Sequence, residues 1–455
     1  MLKLINKLLV ITRKFCCSAS FWNVVYNSLR IGGNILTLPI ALRMLPANQM
    51  GLYYTFVAVG GLAGFLDMGL GGTVARQVTY IHSGAKGIVS HGVPECHPDG
   101  RVDLGLFSQT VSTIRNIYTI LGLITLGLLI IPGSIFIGSN ISSAGMGTSF
   151  LFAWFLYAIS ASHSLGTGFW NNFLMGIKEQ RLSGVIGSST QATYVLIVVF
   201  GLLCGWGIWA YAIALLTTGF AQRNVSRYFF LKKTNVTLGE KADYTIICTL
   251  WPMSWRLAIV LLCMYAFQKA CIMVSSRELG LQTTASFGLA LSLFTIVFQV
   301  MRSPLYIKYP EILHLRVTGD YKKIKKIFFI RLYTYLAVMA IIMMLVIAIG
   351  PQILKMIGSK TLLPESMILM VMALFFLLDR HQEEYLTLVL TENKNPFIIP
   401  YAITAGISVI FMTIGAKKFG LMGLVIGQGL GTMMINNWWV VMRGIAGLRC
   451  ERNEK

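Results

Sequence analysis

Residues 327–349 read IFFIRLYTYLAVMAIIMMLVIAI, and the six residues before them, Tyr321–Lys326, read YKKIKK. An apolar run of this length crosses the roughly 30 Å hydrocarbon core of a bilayer as one helix. The lysines at its start mark the cytoplasmic side, where Lys and Arg collect. Runs of the same kind recur along the chain. The first half carries Phe21–Leu45, Met50–Ala75, Ser108–Ile137, Thr148–Met175, Val185–Cys204 and Gly207–Phe229. The second carries Ile246–Ser275, Ala285–Ile307, Ile327–Ile349, Met367–Leu390, Phe397–Ile414 and Leu421–Met442. These runs predict an all-α polytopic membrane protein of about twelve transmembrane helices.

Composition agrees. Of the 455 residues, 55% are hydrophobic and 12% charged, with mean hydropathy +0.69. A soluble domain carries about a quarter charged residues, so an ordinary soluble enzyme and a disordered chain are both excluded. The 44 Gly suit helices packed closely in lipid. Eight cysteines lie scattered, with neither metal-ligand spacing nor a disulfide framework.

The 38 Lys+Arg outnumber 17 Asp+Glu, a formal charge of +21. In a soluble chain that excess would suggest nucleic acid. Here topology accounts for it, and no nucleic-acid partner is expected. With both termini inside, about 25 basic residues fall in internal loops and tails, about 6 in external loops and about 7 within spans, the positive-inside bias. Both termini are therefore expected on the cytoplasmic side of the membrane. The basic segment from Arg223 to Asp243 divides the chain into an N-terminal lobe, 1–240, and a C-terminal lobe, 241–455, of six helices each.

Polar groups inside spans face a partner or a cavity. In the first span Asn23, Asn27, Arg30, Asn34 and Thr37 recur at spacings of four and three, which places them on one helical face. That face predicts a water-filled pathway or, alternatively, a polar seam between helices. Weaker stripes run through Ser108, Ser112, Arg115, Thr119 and Gly122; through Ser160, Ser164, Thr167 and Asn171; and through Ser292, Thr295, Gln299 and Arg302. The seventh span adds Trp251, Pro252, Trp255, Arg256, Gln268 and Lys269, its tryptophans reading as interface anchors before sugar platforms. Arg302 reads as able to snorkel to the inner interface, and Glu383 and Glu384 as solvated near it.

The intramembrane acids are few. Asp67 follows Gly60 and Gly64 on one helical face, and Asp379 sits beside Arg380. Each reads as an ion-pair partner or as the carrier of a coupling proton or Na+. Against them stand Arg30, Arg115, Arg256 and Lys269. A mainly cationic cavity lined by Asn, Gln, Ser and Thr suits an anionic, hydrogen-bond-rich solute, since Arg matches phosphate oxygens. An exporter of cationic drugs would show the opposite sign.

Other sites read weakly. The internal loop holding His82, His91, Glu95, Cys96, His97, Asp99 and Asp103 has ligand types without zinc spacing, and no metal is expected. His163 reads as a core hydrogen-bonding histidine before a proton carrier. There is no Walker-type phosphate loop, no Asp-x-Asp or Asp-x-Glu pair and no large external loop, so neither ATP hydrolysis nor glycosyl transfer is expected, and no cofactor.

The stretch Pro46–Ala–Asn–Gln–Met–Gly–Leu–Tyr–Tyr, continuing to Gly64–Phe–Leu–Asp–Met–Gly–Leu, resembles the first two helices of the polysaccharide (O-antigen repeat-unit) flippases. That family belongs to the multidrug/oligosaccharidyl-lipid/polysaccharide exporter superfamily. Leu250–Trp–Pro–Met–Ser–Trp–Arg resembles its seventh helix. Thr391–Glu–Asn–Lys–Asn–Pro, Gly427–Gln–Gly and Asn436–Asn–Trp–Trp resemble its last third. The resemblance implies two six-helix lobes around a central cavity, with alternating access by lobe rocking. It implies a substrate carried on undecaprenyl pyrophosphate, and as partners the membrane lipid and the pathway's polymerase and chain-length regulator.

On this reading Arg30, Arg115, Arg256 and Lys269 meet phosphate or acidic sugars, while Asn23, Asn27, Asn34 and Gln299 bond glycan hydroxyls. Related drug exporters carry a coupling acid in the first helix, and Phe21–Leu45 has none, which leaves Asp67 and Asp379 as candidates. The rivals are a flippase for a capsule or cell-wall precursor, a proton-coupled drug exporter, a membrane glycosyl polymerase and an assembly scaffold.

Overall fold

The computed structural model describes residues 18–449, apart from 68, 90–93, 100, 235, 239, 307 and 392–395. The side chains at 250, 252–254, 256–257, 303–306, 310, 317 and 449 also lie outside the description. Twelve long helical runs appear among the described residues, in the order expected. Pairing of strands is confined there to a single bridge between Ala85 and Cys96.

The first span is α1 (Ala19–Met44). The second is broken into α2 (Ala47–Gly60), α3 (Ala63–Leu66) and α4 (Leu70–His82). The third is α5 (Leu104–Leu128), a π-turn at Leu129–Gly133, and α6 (Ser134–Ser143). Pro132 has no N–H to give the ladder, which is why the helix widens there. The Leu129 carbonyl at this break accepts a 3.2 Å bond from the Trp154 indole.

The fourth span is α7 (Ser149–Gly166) followed by α8 (Phe169–Gly176); α9 (Gln180–Leu203) and α10 (Trp209–Thr234) follow. The tight connection between α9 and α10 rests on two left-handed glycines, Gly205 (φ +79°) and Gly207 (φ +63°), which admit no side chain without strain.

In the second half α11 (Thr245–Glu278) and α12 (Gly280–Tyr306) precede a short α13 (Tyr309–Val317). Then come α14 (Tyr321–Ile357), α15 (Ser366–Leu390), α16 (Ile398–Met434) and α17 (Asn436–Arg449). Asp320 caps α14 by accepting from the Lys323 N–H at 3.1 Å. Helix α16 reverses at Gly420 (φ +62°), and its two arms touch backbone to backbone through Gly415 and Gly423. The eleventh and twelfth spans are therefore one hairpin.

The chain forms two compact units. Unit 1 takes the described residues up to Ala41 together with those of Val59–Ala258; unit 2 takes Leu42–Ala58 and the described residues from Ile259 onward. The change of unit thus falls inside α11, and α2 up to Ala58 belongs to unit 2, where Gly51 meets the Leu281 carbonyl and Gly288 meets the Tyr54 ring. In unit 1, α7 packs on α5 and α10, α9 on α10, and α4 on α8. Its core joins Val74 and Val78 of α4, Phe107 and Val111 of α5, Phe169 and Phe173 of α8, and Phe230 of α10. In unit 2, α15 packs on α17 and α14, and α12 on α14.

Candidate functional site

Two broken helices build a chamber inside unit 1. Gly60 to Leu66 carry the chain off the α2 axis, and a further break at Gly69 (φ +67°) starts α4. Asp67 sits in that second break. Its Oδ2 accepts from the Gly71 N–H at 3.3 Å, at the positive N-terminal end of α4, and its Oδ1 accepts from the Tyr118 hydroxyl at 2.7 Å. The fourth span breaks at Thr167–Gly168, between the serines of α7 and the asparagines of α8. Broken helices at membrane depth are tolerated where the freed backbone lines a cavity.

The resulting cavity is about 490 Å³. Asp67, Ser160, Ser164, Asn171, Asn172 and Arg223 supply its polar lining, and Tyr157 adds an aromatic wall. Gly60 makes room for Tyr157, because a Cβ there would stand 2.3 Å from the ring. Gly122 and Gly166 bring α5 and α7 into backbone contact behind the chamber. Ser183 donates to Asn171 Oδ1 at 2.7 Å and fixes that amide. His163 lies stacked on Phe220, ring centroids 3.7 Å apart and planes 1° from parallel. Its Nε2 is buried with no hydrogen-bond partner among the described residues, so stacking takes the place of the core hydrogen bond expected there.

The Gly60–Gly64–Asp67 face and the Ser160–Ser164–Asn171 stripe were each legible separately, and the fold brings them together in this chamber. Arg223, Asn172 and Tyr157 were missed. A signal existed for the first: Leu215, Gly219 and Arg223 are spaced by four within an apolar span, and all reach this chamber or its serines.

The α1 stripe is elsewhere. Trp22, Tyr26 and the backbone at Gly33 pack on α9 at Gly184, Gly187 and Val195. The opposite face leaves Asn23, Asn27, Arg30 and Asn34 exposed, while Thr37 is buried and bonds its own helix at Gly33. Arg115 Nη1 donates to the Leu238 carbonyl at 3.3 Å, across to the segment after α10. Lys269 is exposed, and Gln299 is half-buried on α12. The Arg256 side chain lies outside the described residues, as do His91 and residues 392–395 of the Thr391 motif.

Unit 2 holds a charged cluster between α12 and α15. Arg302 reaches Glu383 and Glu384 at 3.0 Å each. Arg380 pairs with Asp379 at 2.6 Å and with Glu383, and both guanidiniums lie over the Phe298 ring. The Glu384 side chain is 0% exposed. Glu383 and Glu384 are therefore not solvated, and Arg302 is turned to α15 instead of snorkelling: a paired guanidinium in a low-dielectric interior is held by its carboxylates. Asp379 also lines a cavity of about 40 Å³ with Gln428 and Thr432. Among the described residues no cluster of His, Cys, Asp and Glu could hold a metal ion.

No family model matches the sequence, and no curated protein does. Solved structures do match. One, an inward-facing multidrug resistance MATE family transporter of the MOP superfamily, superposes with a TM-score of 0.70 at 13% identity, covering 94% of this chain and 100% of its own. A second, described as protein A, reaches 0.60 at 13% identity, covering 96% and 95%. The chain shares the fold of these two structures and is a polytopic helical membrane protein.

Proposed function

We propose that the chain is an alternating-access transporter that flips an undecaprenyl-pyrophosphate-linked oligosaccharide, an O-antigen-type repeat unit, across the bacterial cytoplasmic membrane. One observation carries the reading. Three asparagines and an arginine stay exposed along a membrane helix whose other face is packed, and Asn23, Asn27, Arg30 and Asn34 together suit phosphate and sugar hydroxyls. Arg30 and Arg256 neutralise phosphate or acidic sugars; Asn23, Asn27, Asn34 and Gln299 bond hydroxyls. The polyprenyl tail stays in lipid. Energy comes from H+ or Na+ taken up at Asp67 or Asp379. The likeness of fold to a MATE family transporter supports transport and leaves the substrate open.

The test is translocation in proteoliposomes, read as protection of an undecaprenyl-pyrophosphate oligosaccharide from an external glycosidase. Protein-dependent protection that drops in Arg30→Ala supports the flippase and its path. Protection unchanged in Arg30→Ala keeps the flippase and removes this path. The second reading, a proton-coupled drug exporter, draws on the description of the solved neighbour as a multidrug resistance transporter and on Asp67 in its chamber. Proton-driven efflux of a cationic dye without glycan translocation would favour it.

A further inference from the structure

Arg223 is unexplained by the path just described. It projects from α10 into the unit 1 chamber, its Nε is buried, and that atom has no hydrogen-bond partner among the described residues. It also forms no ion pair with a carboxylate among them. A guanidinium carries five donors, and at membrane depth such a group without an acceptor is costly. The chamber's carboxylate does not supply one: Asp67 is bonded by Tyr118 and Gly71, and no hydrogen bond or ion pair joins it to Arg223 among the described residues.

The lining thus carries both signs of charge. Arg223 offers a cation with a fork suited to phosphate oxygens. Asp67 offers a carboxylate with lone pairs to spare beside the amide of Asn172, whose Nδ2 lies against Gly71, and Ser160 and Ser164 add hydroxyls. Tyr157 provides a flat apolar face. A ligand that fits carries an anionic group and hydroxyl donors on a body with one apolar face. About 490 Å³ holds such a molecule with room to spare.

We infer that the unit 1 chamber is a sugar-phosphate subsite, in which Arg223 holds the phosphate and Asp67 with Asn172 meets the sugar hydroxyls. This deepens the transport reading and rests on it for the choice of a phosphate-bearing sugar over other anions. The subsite lies wholly within unit 1, and none of its lining residues belongs to the α1 stripe.

Binding to the purified full-length protein in detergent tests it, with glucose 1-phosphate, glucose and inorganic phosphate as probes. Glucose 1-phosphate is expected to bind more tightly than either fragment. Arg223→Gln should weaken it by about ten- to a hundred-fold, the loss of a charge-assisted pair, while Arg223→Lys recovers part of the affinity. In parallel, phenylglyoxal modification of Arg223, followed by peptide mass spectrometry, should be blocked by glucose 1-phosphate and not by glucose.

Equal affinity in the wild type and in a folded Arg223→Gln protein overturns the subsite, as does failure of millimolar glucose 1-phosphate to bind or to protect Arg223. If those failures accompany normal glycan translocation in proteoliposomes, the transport reading survives without this subsite. If binding behaves as expected and translocation is absent, the subsite stands and the flippase reading falls.

Discussion

The hydroxyl of Tyr118 donates a 2.7 Å hydrogen bond to Oδ1 of Asp67, tying α5 to the break in the second span. Tyr118 is 1% exposed, so water has little access to replace it. The bond fixes the one acid of the chamber and orients its free lone pairs. Tyr118→Phe removes the donor and leaves the ring in place. The loss is expected to cost about 1–3 kcal/mol, the range for leaving a charged acceptor short of a buried partner. A lowered melting temperature in detergent with unchanged helicity is the readout; a melting temperature equal to wild type would show that the bond carries no such weight.

Gly122 and Gly166 form the closest approach of α5 to α7. A Cβ at Gly122 would lie 2.9 Å from the Gly166 Cα and 3.3 Å from the Ser162 carbonyl, both backbone atoms. Gly122→Ala should therefore destabilise by about 1–3 kcal/mol, as overpacking does. Gly127, further along the same helix, has nothing within 4 Å of its missing Cβ. Gly127→Ala should be neutral or stabilise by up to about 1 kcal/mol through helix propensity. Paired thermal melts of the two variants decide whether packing or propensity governs this helix.

Arg302 stands 3.0 Å from each of two carboxylates on α15, one of them fully buried. Removing the guanidinium leaves Glu384 without its counter-charge, and Arg302→Ala is expected to cost about 3–5 kcal/mol. Adding Glu384→Gln to that variant should restore part of the loss, because the stranded charge is then gone. A double-mutant cycle by thermal or denaturant unfolding measures the coupling. Strict additivity of the two substitutions would mean that the pair does not interact.

Arg115 counts among the cationic residues expected to meet substrate, yet its guanidinium is engaged with the Leu238 carbonyl. Arg115→Lys cannot reproduce that geometry. The expected outcome is lower stability with glycan affinity within two-fold of wild type, about 0.4 kcal/mol. A much larger loss of affinity in a folded variant would instead place Arg115 on the substrate path.

The spans were legible because lipid demands a continuous apolar run for every crossing, and a run of twenty residues is hard to mistake. The first span was expected at Phe21–Leu45 and is observed at Ala19–Met44. The polar stripes were legible for a related reason, since 3.6 residues per turn turns spacing into a face. Asp67 stood out as an acid in an apolar run, and so did its glycine neighbours.

Sequence alone thus determined the membrane class, the helix count and which faces are polar. It did not determine which polar faces meet. Glu383 and Glu384 sit four and five residues from Asp379 and read as solvated, until packing of α15 against α12 supplied Arg302 from about eighty residues away. Arg223 read as the start of a basic loop, until the breaks in the second and fourth spans opened a chamber in front of it. Helical periodicity is a local property written in consecutive residues, whereas a counter-charge or a cavity is made by contacts distant in sequence. Only the tertiary structure decides those.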